Sequence, residues 1–459
     1  MHPIRPLTGI LLALAFASPG PAQDEPGTDP ARLNSATPRE ADMVWEGDLL
    51  DREELVRRVL ERNPTVAAAQ AAWRAARERV PQAESLMDPM ASVSTAPLSY
   101  IGDGRIGYGA SLSQEIPYPG TLALRGERAE AEARVRERDL ETVRLDLALE
   151  AARLFDRYRF VHRAVEINEE HVDLLETFQE IATSRYATGL APQQAPLQAE
   201  VEAAHLHHRL VVLQSERRVI AARINALLHR GAREPLPAPR IEDPPPMEPI
   251  DAEAMSRSAI AHRPELAAQR AEIESRRTTV SLERLDARPD FEAMTSFSSM
   301  WAMSDHRWMV GVGIRIPFWK GRIRAGIAEA EARVGQAEST LAALEDGVQA
   351  EAVAAATELE EALHVARLYE TRVFPASEDQ IAAARSGFET GQVSMLALIE
   401  AERSLRDARL QYEDALSQAW TARARLDRSL GLLPDLGPPT VETNQSTSLT
   451  HPSDPELEP

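Results

Sequence analysis

Two stretches of sequence decide the fold: IGYGASLSQEIPYPG at residues 106–120 and WMVGVGIRIPFWKG at residues 308–321. In each, apolar side chains alternate with Gly or other small residues before an Ile-Pro turn. This alternation is typical of a β-strand with one apolar face. Partner strands are predicted at about Pro89 to Ala96 and Asp290 to Trp301, joined through loops at Tyr100 to Arg105 and Ala302 to His306. At ~9 to 11 residues each, the strands have the length of tilted transmembrane strands.

The two stretches are copies of one unit that occurs twice. LERNPTVAAAQ at residues 60–70 corresponds to IAHRPELAAQR at residues 260–270, and YATG ending at Gly189 corresponds to FETG ending at Gly391. Because several landmarks recur in the same order, the sequence predicts an internal repeat. The predicted divisions are a signal peptide (1–22), an acidic Pro-rich segment (23–48), repeat one (49–231), a Pro-rich linker (232–250), repeat two (251–433) and a C-terminal tail (434–459).

The order predicted within each repeat is helix, two strands, very long helix, turn and helix. From Leu147 to Leu175 apolar residues step by four and three, which is a heptad seam, and a second seam runs from Phe160 to Ile181 on another face. A helix with two seams contacts neighbours on both sides. The helix from about Gly120 to Tyr186 would be ~100 Å long. The shorter helices from about Arg52 to Ser85 and Gln194 to Leu228 would lie beside it.

Composition and the amino terminus narrow the function. The net charge of −21 argues against nucleic-acid binding, and the absence of cysteine excludes disulfides and Cys-ligated metal in this sequence. Arg5 precedes an apolar run from Leu7 to Ala17, as in a secretory signal peptide, with cleavage after Ala17 or Ala22. Four strands cannot close a barrel, and an open edge is not tolerated in lipid. Several chains must therefore contribute strands. Two chains would give eight strands, whose interior is just filled by side chains, so a conducting pore favours a trimer with twelve strands.

The repeated unit, with its Ile-Pro turns and its Tyr/Phe-x-x-Gly turns, resembles the TolC family of outer-membrane efflux proteins over about Leu49 to Leu433. The proline turns are most similar to the heavy-metal efflux branch. The resemblance implies a mostly α fold with a small β part: a trimeric twelve-stranded outer-membrane barrel continuous with a long periplasmic α-helical barrel. It also implies passive conduction, no cofactor, and two partners: a periplasmic adaptor and an inner-membrane pump of the RND type.

The turns that end the longest helices are predicted to dock the adaptor, since glycine permits the reversal and leaves the backbone accessible. These docking candidates are Gly189, Leu190, Ala191, Gly391, Gln392 and Val393. The resemblance places Glu400 at one of two acidic gate positions, with Ala397 at the other. Family positions that form a polar latch are Phe388, Val393 and Ala195 here, so that latch cannot form from these side chains. Glu400, and then Glu389, are the pore and gate candidates.

The class of exported substrate is predicted from the positions of three methionines in the strands. Met294, Met300 and Met309 occupy the strand parity opposite to the apolar Phe297 and Trp308, so they would face the lumen, where thioethers suit soft ions. The alternative is that these methionines only fill space in the wall of the channel and bind no ion. In the group His205, His207 and His208, His205 and His208 could share a helix face and bind a transition metal weakly, with Glu202 one turn before His205. A solvated or seam-lining helix face explains these histidines as well.

No catalytic motif is found in the sequence, so the protein is predicted not to be an enzyme. Two other interpretations remain open. One is a drug, small-molecule or type I secretion duct of the same family. The other, from a different class, is a periplasmic coiled-coil scaffold or adaptor, which would need neither the duplicated unit nor four strands of membrane length.

Overall fold

The computed structural model describes residues 48–96, 107–241, 244–245, 252–301 and 307–434. The predicted signal peptide, nearly all of the acidic Pro-rich segment, both hairpin loops, part of the linker and the tail beyond Pro434 lie outside the described residues. The boundaries of the two repeats remain predictions. No helix among the described residues combines the length and the apolar character that crossing a membrane requires.

The first repeat begins with short helices where one helix was predicted. The chain forms α1 (Arg52–Arg62), α2 (Pro64–Arg77) and α3 (Arg79–Glu84) in this fully described stretch. Asn63 ends α1 with extended backbone, and its side chain accepts a hydrogen bond from the Thr65 amide at 2.9 Å. The break follows from Pro64, which has no N–H to donate and disfavours helical backbone at the residue before it.

The predicted long helix is present as α4 (Thr121–Ala187), 67 residues without interruption, and it is followed by α5 (Gln194–Leu227). Both predicted seams lie in the interior. Val161, Val172 and Leu175 of the first seam are buried, as are Ile167 and Phe178 of the second. The helix contacts α5 and also the helices Pro264–Leu285 and Met395–Ser429 of the second repeat, so it needs more than one apolar face.

The second repeat contains α6 (Ala252–His262), α7 (Pro264–Leu285), α8 (Lys320–Leu368), α9 (Phe374–Thr390) and α10 (Met395–Ser429). Here the long helix is not uniform, because a π-helical turn, Tyr369–Val373, separates α8 from α9. Pro375 stands in the first turn of α9. A proline removes one helical N–H and its ring crowds the preceding turn, and the wider π turn accommodates this. The offset in residue number between corresponding positions of the two repeats is two larger at the glycine turns than at the strands. This is consistent with extra residues in this region of the second repeat.

The strands form one antiparallel sheet in the order β2-β3-β5-β6 within the described residues. Its members are β2 (Met90–Ala96), β3 (Gly107–Ile116), β5 (Asp290–Ser298) and β6 (Trp308–Arg315). The two predicted hairpins are thus paired with each other through β3 and β5, with Ala110 opposite Phe297. This leaves β2 and β6 as the edges of the sheet. A separate short pairing joins β1 (Leu49–Leu50) in parallel to β4 (Ala238–Pro239).

Buried polar groups contribute to the contact between α4 of the first repeat and α10 of the second, beside apolar side chains. Arg52 of α1 lies 3.2 Å from Asp156 of α4, and both side chains are almost completely buried. The Arg52 guanidinium also stacks over Trp420 of α10 at 4.9 Å from the ring centre. Further along, Arg163 of α4 donates to Glu413 of α10 at 3.1 Å. Arg163 and Glu413 thus join α4 to α10 directly, and Arg52 joins α1 to both helices.

Candidate functional site at the helix tips

The two predicted turns lie at the end of the long helices that is farthest from the strands. In the first turn, Gly189 has φ of 75°, and the Leu190 amide donates to the Arg185 carbonyl at 2.8 Å. In the second, Gly391 has φ of 78°, and the Gln392 amide donates to the Gly387 carbonyl at 2.8 Å. Both are glycine-terminated helix ends with a residue in the left-handed region, which glycine adopts without a Cβ clash. We refer to them as the first and second tip turns.

The docking candidates on these turns are largely exposed. Leu190 is 67% exposed, whereas Val393 is only 36% exposed because its side chain packs over Gly387. Ser394 then caps α10 by accepting a hydrogen bond from the Ala397 amide. Ala191 is half-buried, packed against the apolar cluster below, and Gln392 is exposed.

Arg185 joins the two tip turns, a role that no sequence pattern indicates. Its guanidinium donates to the Glu389 carbonyl at 2.5 Å and to the Leu190 carbonyl at 3.4 Å, and it lies 5.5 Å from the centre of the Phe388 ring. The acceptors are backbone oxygens, which any residue supplies. The polar latch of the family is absent at the positions named above, but a different polar link holds the two turns of one subunit together.

Behind the tip turns, α4, α5, α9 and α10 enclose an apolar cluster. Phe178, Phe388 and Leu398 are buried in it. At its upper edge, Nδ1 of His171 lies 2.6 Å from Oε1 of Glu402, and both side chains are buried. His171 falls on the predicted second seam, but no sequence pattern indicates its partner on α10. This pair is a further polar connection between the repeats.

The gate candidates both carry arginine partners. Glu400 lies exposed on α10 with Oε1 3.1 Å from Nη1 of Arg403, and Glu389 lies exposed on α9 3.3 Å from Nε of Arg385. Arg403 also contacts Glu202 of α5. Glu202 therefore pairs with arginine and not with His205, which is exposed.

The histidines predicted as an alternative metal site remain on solvated helix surface. His205, His207 and His208 are exposed on α5. In the part of the chain that the structure describes, no group of three or more His, Cys, Asp or Glu side chains is arranged to hold a metal ion.

The register of the sheet separates an apolar face from a face of small and polar residues. Residues directly opposite one another in antiparallel strands share a face. Phe297 and Trp308 are opposite one another on the apolar face, with ring centres 5.3 Å apart, and Val310 is 87% exposed there. On the other face one row runs across the sheet: Met90, Ser113, Met294 and Gly311.

Met294 and Met309 lie on this second face, as the strand parity predicts, and Met309 is opposite Ser296 in the next row. The Met294 side chain lies over Gly311, where an added Cβ would approach its Cγ to 3.2 Å. Met300 differs from the expectation, because β5 ends at Ser298 and Met300 lies in the turn that follows. The alternation of side chains between the two faces of a strand does not extend into that turn, so it does not assign Met300 to a face.

The chain is similar to known proteins in sequence and in fold. Residues 255–432 match the family model "Outer membrane efflux protein". Among curated proteins, the chain is similar to the cobalt-zinc-cadmium resistance protein CzcC of Cupriavidus metallidurans, 24% identical over 325 residues, which span 70% of this chain and 76% of that protein.

Solved structures share the fold. The outer-membrane channel OprN has a TM-score of 0.71 at 20% identity, covering 83% of this chain and 89% of OprN. The outer membrane protein VceC of Vibrio cholerae has a TM-score of 0.71 at 18% identity, covering 83% of this chain and 96% of VceC. The fold is therefore that of a TolC-like outer-membrane channel, mostly helical with a small antiparallel sheet.

Over residues 255–432 in sequence, and in its fold, the chain is similar to the TolC family of outer membrane efflux proteins. These similarities support an outer membrane channel of an efflux system with a periplasmic helical portion, and the family is non-enzymatic. Channels of this family are trimeric partners in tripartite efflux systems.

Proposed function

We propose that three copies of this chain form a passive duct that carries heavy-metal cations from the periplasm to the exterior. The observation that carries the cargo proposal is the row of Met90 and Met294 around Ser113 on the Ser- and Gly-rich face of the sheet, with Met309 in the next row. Thioethers are soft ligands and suit Cu(I) and other soft ions. The similarity to CzcC, which is named for cobalt, zinc and cadmium resistance, supports the same cargo class.

In this proposal the apolar face of the sheet meets lipid and the Met- and Ser-bearing face lines the lumen. An edge strand with unpaired backbone groups cannot remain open in lipid. Since β2 and β6 are the edges, β6 of one subunit would pair with β2 of the next, and three sheets would close a twelve-stranded barrel.

The cargo proposal is tested by deleting the gene and measuring growth on copper, silver, zinc, cobalt and cadmium salts, with detergents and drugs in parallel. Loss of metal tolerance, restored by the intact gene, is expected. Normal metal tolerance with lost tolerance to drugs or detergents would favour the alternative, a small-molecule duct of the same family. Complementation with Met294→Leu plus Met309→Leu separates thioether chemistry from apolar lining, because Leu keeps a similar volume without sulfur.

The tip turns are proposed to meet a periplasmic adaptor, which couples the duct to an inner-membrane pump of RND type. Exposed backbone at Gly189 and Gly391 and the exposed Leu190 side chain support this surface. Gly189→Trp with Gly391→Trp is expected to abolish efflux while trimers remain in the membrane. Gly335→Trp is the matched control, since Gly335, like Gly189, has open space around it but lies within α8. Unchanged efflux in the double variant would remove the tips from the docking surface.

Glu400, and to a lesser extent Glu389, are proposed to give the periplasmic end its cation preference. One carboxylate per subunit makes a threefold acidic ring, which attracts cations. Single-channel recordings of Glu400→Gln in a planar bilayer are expected to show weaker cation selectivity and weaker block by multivalent cations. Records identical to wild type would take Glu400 out of the pore.

A further inference from the structure

Beside the gate candidate Glu400, one arginine is shared between two carboxylates that belong to different helices. Arg403 of α10 places Nη1 3.1 Å from Oε1 of Glu400, one turn away on the same helix. Its Nη2 contacts Oε2 of Glu202, which comes from α5. Arg406 completes the group, with Nη1 3.5 Å from the other Glu202 oxygen, Oε1.

The two carboxylates differ in their surroundings, and this difference decides how the arginine is held. The Glu202 side chain is 5% exposed, whereas that of Glu400 is 59% exposed. A buried carboxylate needs compensating donors far more than an exposed one does. Arg403 is therefore anchored at Glu202, and its remaining nitrogen is directed at Glu400.

The charges of the anchoring pair are fixed at neutral pH. The hydrogen bond from Arg403 lowers the pKa of Glu202 against the opposing effect of burial, and the charges of Arg403 and Arg406 lower it further. The same bond with Glu202 raises the pKa of Arg403. Neither group titrates near pH 7, so the guanidinium is a permanent positive charge beside Glu400.

We propose that Arg403, held in position by Glu202, is the residue that sets the effective charge of the gate by partly neutralising Glu400. The inference rests on the proposed position of Glu400 in the pore and assigns the neighbouring counter-charge. A passing cation then meets a weaker acidic ring than Glu400 alone would make. The buried Glu202 acts only through Arg403, as a positioning residue.

Net charge alone could imitate this effect, so the test needs a variant that conserves charge. Arg403→Gln removes the counter-charge from Glu400 and is expected to raise the cation-to-anion permeability ratio about two- to fivefold at low salt, from the Coulomb interaction of three unit charges across a water-filled opening. Glu202→Gln with Arg403→Gln keeps the wild-type net charge but also leaves Glu400 without Arg403. The double variant is therefore expected to stay above wild type.

The measurements are single-channel reversal potentials of the full-length trimer in planar bilayers, at two salt concentrations. Arg403→Lys preserves the positive charge and is expected to stay close to the wild-type ratio. Heat-modifiable migration on gels shows for every variant that the trimer is assembled.

Three outcomes overturn the inference in distinguishable ways. A wild-type ratio in Arg403→Gln, with an altered ratio in Glu400→Gln, removes the role of Arg403 and leaves the gate proposal intact. A ratio that returns to the wild-type value in the double variant means that only net charge matters. No effect of Glu400→Gln itself overturns the gate position and this inference together.

Discussion

At the scale of single residues, His162 on α4 makes the helical portion sensitive to acid. Its ring lies 4.5 Å from that of Tyr158, and burial, followed by the charge of Arg217, lowers its pKa to about 4. The unfolded chain has the ordinary His pKa near 6.5. Between these values the unfolded chain binds a proton that the folded chain does not, so stability falls as the pH drops from about 6.5 towards 4.

His162→Gln is expected to remove this part of the acid sensitivity, roughly 1 to 3 kcal/mol per subunit at pH 4. Thermal unfolding followed by circular dichroism at pH 7.0 and pH 4.5 checks it. Wild type should lose more in Tm between the two pH values than the variant does, while other titrating groups contribute equally to both. Equal losses in Tm would mean that His162 is solvated in the folded state.

Arg185 is a second residue whose effect is predictable from its contacts. Arg185→Ala removes the hydrogen bonds to the carbonyls of Leu190 and Glu389 and the contact with Phe388. Hydrogen exchange is expected to accelerate in both tip turns, with a stability loss of about 1 to 3 kcal/mol. Arg385→Ala is the control, since its ion pair with Glu389 lies within one exposed helix. The same exchange rates in both variants would contradict the bridging role.

At the scale of elements, the two tip turns have the same backbone conformation but different surroundings. An added Cβ at Gly189 would meet nothing within 4 Å, whereas one at Gly391 would lie 3.1 Å from Nη2 of Arg185. Gly189→Ala is expected to cost about 1 to 2 kcal/mol from the positive φ alone. Gly391→Ala should cost more, because Arg185 must also move.

Comparative thermal unfolding of the two variants checks this order. Gly335→Ala, in an exposed helical position of α8, should instead stabilise the chain by up to about 1 kcal/mol. Equal destabilisation at Gly189 and Gly391 would show that Arg185 gives way without cost.

At the scale of the whole molecule, the proposed trimer makes the edges of the sheet into contacts between subunits. Because the sequence has no cysteine, a maleimide reagent can cross-link only the thiols that are introduced. Val93→Cys in β2 with Val310→Cys in β6 places thiols on the exposed apolar face of both edges. A short bis-maleimide is expected to give covalent dimers and trimers on denaturing gels. Neither single variant should do so, and absence of these species in the double variant would contradict pairing of β6 with β2 between subunits.

Much of the architecture could be predicted from the sequence because it depends on local periodicity. Alternation of apolar and small residues predicts β3 and β6 and the face on which Met294 and Met309 lie, and steps of three and four predict α4 with its two buried seams. Glycine at positions 189 and 391 predicts where the long helices reverse. Each of these features is determined within a few residues of chain, as is the break at Pro64 that the prediction overlooked.

Other features depended on the tertiary structure, because their partners lie far away in the sequence. Nothing near Arg403 indicates that it binds Glu202, nothing near His171 indicates Glu402, and Arg185 selects backbone carbonyls, which every residue has. The same is true of the pairing of β3 with β5, which unites the two hairpins into one sheet. The sequence by itself determined the repeated elements and the direction of their apolar faces. Only the packing of one repeat on the other decided which charges meet, because a side chain's pattern specifies its face but not its neighbour across a helix interface.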